Sequence, residues 1–182
     1  MPTIDAFLER ILSAATRDDR GYLATLRRGL SDTTQEQAWP LVIPWCARFE
    51  DVANRKIWCT IGGVAALLFP AKLGIETYAS LGSVMRKLAT GTAVQDGILS
   101  YEAKFRRILN SPDAVDLCNL VVGIVRTAER KGIPINCKSL FWDLLSWIDH
   151  NKREDVRVRW AQDFYRASKP EEMVPTGTEG LA

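Results

Sequence analysis

Hydrophobic residues recur every three or four positions along most of this chain, which is the spacing of a helix with one buried face. Behind Thr3, whose side chain can cap a helix, the first such stripe consists of Ile4, Phe7, Leu8, Ile11 and Leu12. A second helix is predicted from about Asp18 to Leu30. Since no segment alternates cleanly between apolar and polar side chains, as a strand would, the pattern predicts an all-α protein.

Proline and glycine define the helices expected in the middle of the chain. Pro40 and Pro44 divide the segment AWPLVIPWCARF into short helical pieces, because proline disrupts a helix interior. A long helix is predicted from about Val52 to Phe69. Its Gly62 and Gly63 lower the helix propensity, so we expect a neighbouring helix to approach closely at that point.

The second half of the chain gives further helix signals. Helices are predicted from about Ser80 to Thr90, from near Ser100, and from a start at Ser111-Pro112-Asp113 to Lys131. Asn136 then caps an aromatic helix that ends at Trp147, and a charged helix follows at once. This last pair includes three of the six tryptophans and is predicted to supply a large share of the core; the three are Trp142, Trp147 and Trp160.

Together these elements predict a compact bundle of about eight helices joined by short connections. Residues 1–168 are expected to form one domain, either as a single bundle or as two packed sub-bundles of about 1–90 and 91–168. From Lys169 the composition shifts to Pro, Glu, Thr and Gly without periodicity, so 169–182 is predicted to be a disordered tail.

The cellular location follows from what the chain lacks. The longest apolar segment is too short to cross a bilayer, and the first residues do not resemble a secretory signal, so a cytoplasmic location without a membrane partner is expected. The cysteines lie in helical patterns without metal or disulfide spacing, and we expect reduced, buried thiols; they are Cys46, Cys59, Cys118 and Cys137.

Enzymatic function is disfavoured by the residue types available. His150 is the only histidine and lies in a charged connection, which leaves no second histidine for a zinc site or a catalytic triad. The phosphate-binding glycine motifs are absent, and paired acids that are adjacent in sequence point to different faces of a helix. We therefore expect no catalytic residue, no metal and no cofactor.

The basic residues are the remaining candidates for function. The net charge is only +2, but the tail holds one base and three acids, which leaves 23 basic and 19 acidic residues before it. A base with an acid three or four positions away is expected to form a surface pair. The predicted pairs are Arg106 with Glu102, Arg159 with Asp155 or Asp163, and Arg166 with Asp163. Nine others lack a convincing local partner: Arg27, Arg28, Arg55, Lys56, Lys104, Arg107, Arg126, Lys152 and Arg153.

Spacing alone does not decide what these nine bases do. Exposed bases are common in any soluble protein, and the nearby aromatic residues Tyr101, Phe105, Trp160 and Phe164 lie on apolar stripes rather than beside the free bases. Both a nucleic-acid surface and an ordinary solvated surface stay open at this point.

Five stretches in a fixed order give the chain a resemblance to a known family: YLATLRRGL, SLGSVMRKL, YEAKFRRIL, GIPINCKSLFWDLLSW and VRVRWAQDFY. As an ordered set they resemble the CasB family, the small subunit of the type I-E CRISPR Cascade effector complex. The resemblance implies an all-α, non-catalytic subunit that forms a head-to-tail pair and contacts neighbouring Cascade subunits. It also implies contacts with the guide RNA (crRNA) and with the target and displaced (non-target) DNA strands of the R-loop.

The family's basic positions can be matched one at a time onto Arg27, Arg28, Arg55, Arg126, Lys152 and Arg153. The chain departs from the family pattern at one helix, where Ala103 and Lys104 stand in place of two arginines that relatives tend to have. The resemblance therefore predicts a non-catalytic subunit for antiviral defence that binds RNA and DNA backbones without sequence preference and stabilises the R-loop.

Two other functions compete with this interpretation. In a pure protein-interaction scaffold, the same bases would meet acidic surfaces of partner subunits. A helix-turn-helix regulator would need a short turn leading to a recognition helix rich in exposed Arg, Asn or Gln, and the sequence offers no good candidate. Charge reversal of the bases distinguishes the scaffold from the nucleic-acid-binding subunit. It would weaken assembly of the complex in the first case and the R-loop in the second.

Overall fold

The structure, a computed structural model, describes residues 3–74, 79–91 and 95–166, without the side chains of 95–98. Within these ranges the chain forms helices and no strand, which confirms the all-α prediction. The helices are α1 (Ile4–Thr16), α2 (Arg20–Arg28), α3 (Trp39–Val42), α4 (Val52–Leu68), α5 (Leu81–Thr90), α6 (Gln95–Leu109), α7 (Ala114–Arg130), α8 (Cys137–Ser146) and α9 (His150–Tyr165). Short 3₁₀ turns precede α3 at Gln35–Ala38 and follow α4 at Phe69–Ala71. The predicted tail lies outside the described residues.

Most helices begin where their capping residues predict. The Thr3 hydroxyl accepts the Ala6 amide at 3.3 Å, and the Asn136 side chain accepts the Ser139 amide at 2.7 Å. These bonds satisfy amides that a helix cannot satisfy internally, so each cap fixes the first turn of its helix.

Two helix starts differ from the prediction. Helix α6 begins at Gln95, before Ser100, and α7 is capped by Asp113 rather than by Ser111. The Asp113 carboxylate accepts the amides of Val115 and Asp116 at 2.9 and 2.8 Å. Ser111 is buried instead, and its hydroxyl bonds to the Asp116 carboxylate at 2.9 Å, so it supports the first turn from outside the helix.

Helix α4 is the central element and packs against α1, α2, α7 and α8. The predicted close approach at its two glycines is confirmed. A Cβ added at Gly63 would lie 2.5 Å from Leu30 Cγ, and one added at Gly62 would lie 3.0 Å from Phe7 Cζ. A larger residue at either position would crowd Phe7 of α1 or Leu30, which lies two residues after α2.

The C-terminal helices pack through stacked aromatic rings. Trp147 and Trp160 are fully buried with ring centroids 5.6 Å apart, and Phe164 of α9 stacks on Phe105 of α6 at 4.3 Å. Trp142, however, is 50% exposed, so the prediction that it belongs to the core is wrong. It lies on the outer face of α8, whose inner face is provided by Leu140, Phe141 and Leu144.

The charged residues of α9 also pair differently from the prediction. Arg159 forms an ion pair with the buried Asp143 of α8, which also accepts the Trp160 indole N–H at 2.8 Å. Asp163, expected to meet Arg159 and Arg166, instead accepts the Ser80 hydroxyl of the neighbouring helix start at 2.6 Å. The predicted pair of Arg106 with Glu102 is confirmed at 2.6 Å.

The four cysteines are buried and free, which confirms that part of the sequence prediction. Burial raises the pKa of Cys59 to about 11 and the pKa of Cys118 and of Cys137 to about 12. Thiols with these values stay protonated and unreactive at neutral pH, so they act as small apolar side chains. In the described ranges no helix is both long and apolar enough to cross a membrane.

Candidate nucleic-acid interface

A groove between α6 and α7 brings two predicted bases together. Lys104 and Arg107 stand one turn apart on α6 and line a cavity of about 240 Å³. Its other described lining residues are apolar, small or neutral: Tyr101, Ile108, Leu120, Gly123, Ile124 and Thr127. None of the described lining residues is acidic, so the positive charge in the groove is uncompensated by its walls.

The opposite wall of the groove is open at Gly123, where an added Cβ would have no neighbouring atom within 4 Å. Arg126 and Arg130 follow Gly123 at three and seven positions, and helical geometry places them on the same flank of α7. Both are exposed, and no ion pair of either is found in the described part of the chain. We call Lys104, Arg107, Arg126 and Arg130 the basic groove.

Arg130 is not among the nine bases predicted from the sequence. Its Nε donates to the Arg126 carbonyl at 3.2 Å, which anchors the side chain along the helix. Its spacing of seven residues from Gly123 indicates that Arg130 lies on the same flank of α7. That spacing identifies it as a candidate only once the packing of α6 on α7 is known.

Arg27 and Arg28, at the end of α2, are exposed and partly engaged. Arg27 Nε donates to the Ala66 carbonyl of α4 at 3.1 Å, and Arg28 hydrogen-bonds the Gln37 side chain. Neither partner is charged, so each guanidinium keeps its full positive charge and spare N–H donors.

Arg55 and Arg153 hold the fold together. Arg55 donates to the Phe49 carbonyl at 2.9 Å, and its guanidinium lies 5.5 and 5.6 Å from the ring centroids of Trp39 and Phe49. Arg153 donates to the carbonyls of Trp147 at 3.1 Å and Pro112 at 2.9 Å, joining the start of α9 to the start of α7. Both are half-buried, which limits what they can offer to a ligand.

Lys56 does not fit the prediction that it lacks an acidic partner. It is only 3% exposed, and its ammonium lies 2.5 Å from an Asp32 oxygen. The sequence argument considered only neighbours three or four positions away, and Asp32 is 24 positions earlier. Lys152 is exposed but stands 3.8 Å from Asp149, beyond hydrogen-bonding distance.

The nine predicted bases therefore do not form one surface. Lys104 and Arg107 share the basic groove with Arg126, Arg27 and Arg28 lie at the end of α2, and Lys152 belongs to the start of α9. In the part of the chain that the structure describes, no group of three His, Cys, Asp or Glu residues could hold a metal ion. Cations fixed on helices can bind anions such as the phosphates of a nucleic-acid backbone.

Comparison with known proteins gives one family. The chain matches the family described as CRISPR-associated protein Cse2 over residues 22–165, which includes every helix from α3 to α9 and most of α2. No curated protein and no solved structure matches the chain. Since the match extends over well more than half of the sequence, the chain belongs to the Cse2 (CasB) family and is a structural subunit of the CRISPR Cascade complex.

Proposed function

We propose that this Cascade subunit binds the sugar–phosphate backbones of the guide RNA and of the target and displaced DNA strands, and thereby stabilises the R-loop. The observation that supports this function most is the basic groove, in which Lys104 and Arg107 line a cavity without acidic walls and Arg126 and Arg130 follow on the flank of the neighbouring helix. A target strand of arbitrary sequence has to be held by its phosphates, because contacts to base edges would restrict the sequences that can be bound.

The proposed roles of the predicted bases follow from their exposure. Lys104, Arg107, Arg126 and Arg130 bind phosphates directly, and Arg27, Arg28 and Lys152 extend the positive surface. Arg55 and Arg153 act as positioning residues, because both are half-buried and already donate to backbone carbonyls. Lys56 neutralises Asp32 and does not contact nucleic acid. Head-to-tail pairing, which the resemblance implies, and a cytoplasmic location, which the sequence composition predicts, stay predictions.

The proposal is tested in the assembled complex with Lys104→Ala/Arg107→Ala. Loss of two phosphate contacts is expected to raise the dissociation rate of the R-loop on the order of tenfold at physiological salt, with unchanged assembly. The matched control is Arg10→Ala/Arg17→Ala, which removes the same charge from two exposed residues, one in α1 and one directly after it, and is expected to leave the R-loop lifetime as it is.

Two results would contradict the proposal. An R-loop lifetime equal to that of the wild type would exclude the basic groove as a phosphate site. Loss of the subunit from the complex before any DNA is added would instead support the scaffold alternative, in which Lys104 and Arg107 bind acidic side chains of a partner subunit.

A further inference from the structure

An exposed tryptophan on α8 belongs to a second surface, whose described lining residues include none of the basic groove. Trp142 is 50% exposed and borders two adjoining hollows of about 470 and 410 Å³. Both hollows are also lined by Arg48, Asn54 and Leu145, and the first extends to Ile148 and Lys152. We call Trp142, Arg48 and Lys152 the tryptophan face.

The indole of Trp142 is held in place although it is not buried. Phe141 packs edge-on against it, with ring centroids 5.2 Å apart and an interplanar angle of 74°. Phe141 is itself buried, and its ring centroid lies 4.9 Å from that of Trp58 in α4, so it gives Trp142 a rigid support. A large aromatic surface that is fixed and half-exposed is suited to binding a flat ligand with little loss of side-chain entropy.

The two cations that line the first hollow together with the indole are only weakly engaged with acids. Arg48 lies 3.6 Å from Asp51, and Lys152 lies 3.8 Å from Asp149, both longer than a hydrogen bond. The two acids have other partners, because Asp51 caps α4 through the Asn54 amide at 2.8 Å and Asp149 caps α9 through the Asn151 amide at 3.0 Å. Since the positive ends of two helices offset the acids, the two cations keep charge available for anions.

We propose that Trp142 is a stacking platform for a base of single-stranded DNA, whose neighbouring phosphates are bound by Arg48 and Lys152. Proteins that bind single strands without sequence preference combine aromatic rings for the bases with cations for the backbone, and the tryptophan face has both. This inference rests on the proposed function and extends it from phosphate binding to base stacking. Charge favours a DNA strand over an apolar protein segment, because such a segment would cover Arg48 and Lys152 while they have only the long ion pairs with Asp51 and Asp149.

The test compares two oligonucleotides of equal length and charge, oligo(dT) and its abasic analogue, binding to the full-length protein at low salt. We expect the wild type to prefer oligo(dT) by on the order of tenfold, because only that strand can stack. Trp142→Ala is expected to abolish the preference, whereas Trp142→Phe retains most of it. Tyr165→Ala removes another exposed aromatic ring and serves as the matched control, with an unchanged preference.

Tryptophan fluorescence gives a readout that does not depend on affinity. Oligo(dT) is expected to quench the wild-type emission at saturation, and the quench is expected to be smaller in Trp142→Phe, since Trp142 is the most exposed tryptophan of the described chain, Trp58, Trp147 and Trp160 are buried, and Trp39 and Trp45 are half-buried.

The outcomes separate this inference from the proposed function. Salt-dependent binding with equal affinity for both oligonucleotides would overturn base stacking alone and leave phosphate binding in place. Failure of the protein to bind either oligonucleotide would overturn both proposals. If Trp142→Ala leaves the preference unchanged but releases the subunit from Cascade, the tryptophan face is a protein-docking surface and the inference is wrong.

Discussion

Alanine at Gly82 is expected to lower the free energy of unfolding by about 3 kcal/mol, which corresponds to about 6–12 °C in melting temperature for a chain of this length. A Cβ at this position would lie 2.1 Å from the carbonyl oxygen of Trp160 and 2.9 Å from its Cα. Because these atoms belong to the backbone of α9, no side-chain rotation relieves the overlap, and α5 and α9 have to separate. Urea unfolding followed by circular dichroism measures the loss.

Gly123→Ala is the matched control, because Gly123 is also in a helix but an added Cβ there meets nothing within 4 Å. This change is expected to stabilise the protein by about 0.5–1 kcal/mol through higher helix propensity. If Gly82→Ala were as stable as the wild type, the close packing of α5 on α9 would be wrong.

Asp143→Ala is expected to cost about 2 kcal/mol, chiefly because the buried indole N–H of Trp160 loses its acceptor. Arg159 adds less to this cost, since its side chain is half-exposed and water can replace the lost carboxylate. Asp155→Ala, an exposed position on α9, is the control and should lie within about 0.5 kcal/mol of the wild type. Equal effects of the two substitutions would contradict the role of Asp143.

Asp143→Asn separates the hydrogen bond from the charge. Burial raises the pKa of Asp143 above its ordinary range, against the attraction of Arg159. Between the ordinary and the raised value the folded protein keeps a proton that the unfolded chain has released, so the contribution of Asp143 to stability falls as pH rises through this window. Asparagine accepts the Trp160 N–H without ionising.

As the pH rises from about 4 to about 7, the free energy of unfolding of Asp143→Asn is therefore expected to increase relative to that of the wild type. Unfolding measured at both pH values tests this. A shift toward the wild type would mean that the ion pair with Arg159 outweighs the cost of burying the carboxylate.

Features set by neighbours in sequence were predicted well. Helix caps such as Thr3 and Asn136 depend on amides within one turn. The glycine pair of α4 predicted a close helix approach, because glycine lowers helix propensity and is otherwise unfavourable inside a helix. Contacts between distant segments were not predictable. The pairs Lys56–Asp32 and Arg159–Asp143 join different helices and loops, and a search restricted to one helix face cannot find them.

The candidate site illustrates the same limit. Neighbours three and four positions away predicted that Lys104 and Arg107 lack acidic partners, and no ion pair of either is found in the described chain. That both line one cavity, next to the flank of α7 that carries Arg126, follows only from the packing of α6 on α7. Trp142 was assigned to the core together with the other tryptophans of the last two helices, but the face of α8 that it occupies depends on which neighbours cover the helix.

The central claim is that the basic groove binds phosphates, and the salt dependence of single-stranded DNA binding tests it most directly. The measurement compares the wild type with a variant in which Lys104, Arg107, Arg126 and Arg130 are all alanine. Loss of four phosphate contacts is expected to make the slope of log Kobs against log salt shallower by about 3. An unchanged slope and affinity would contradict the claim.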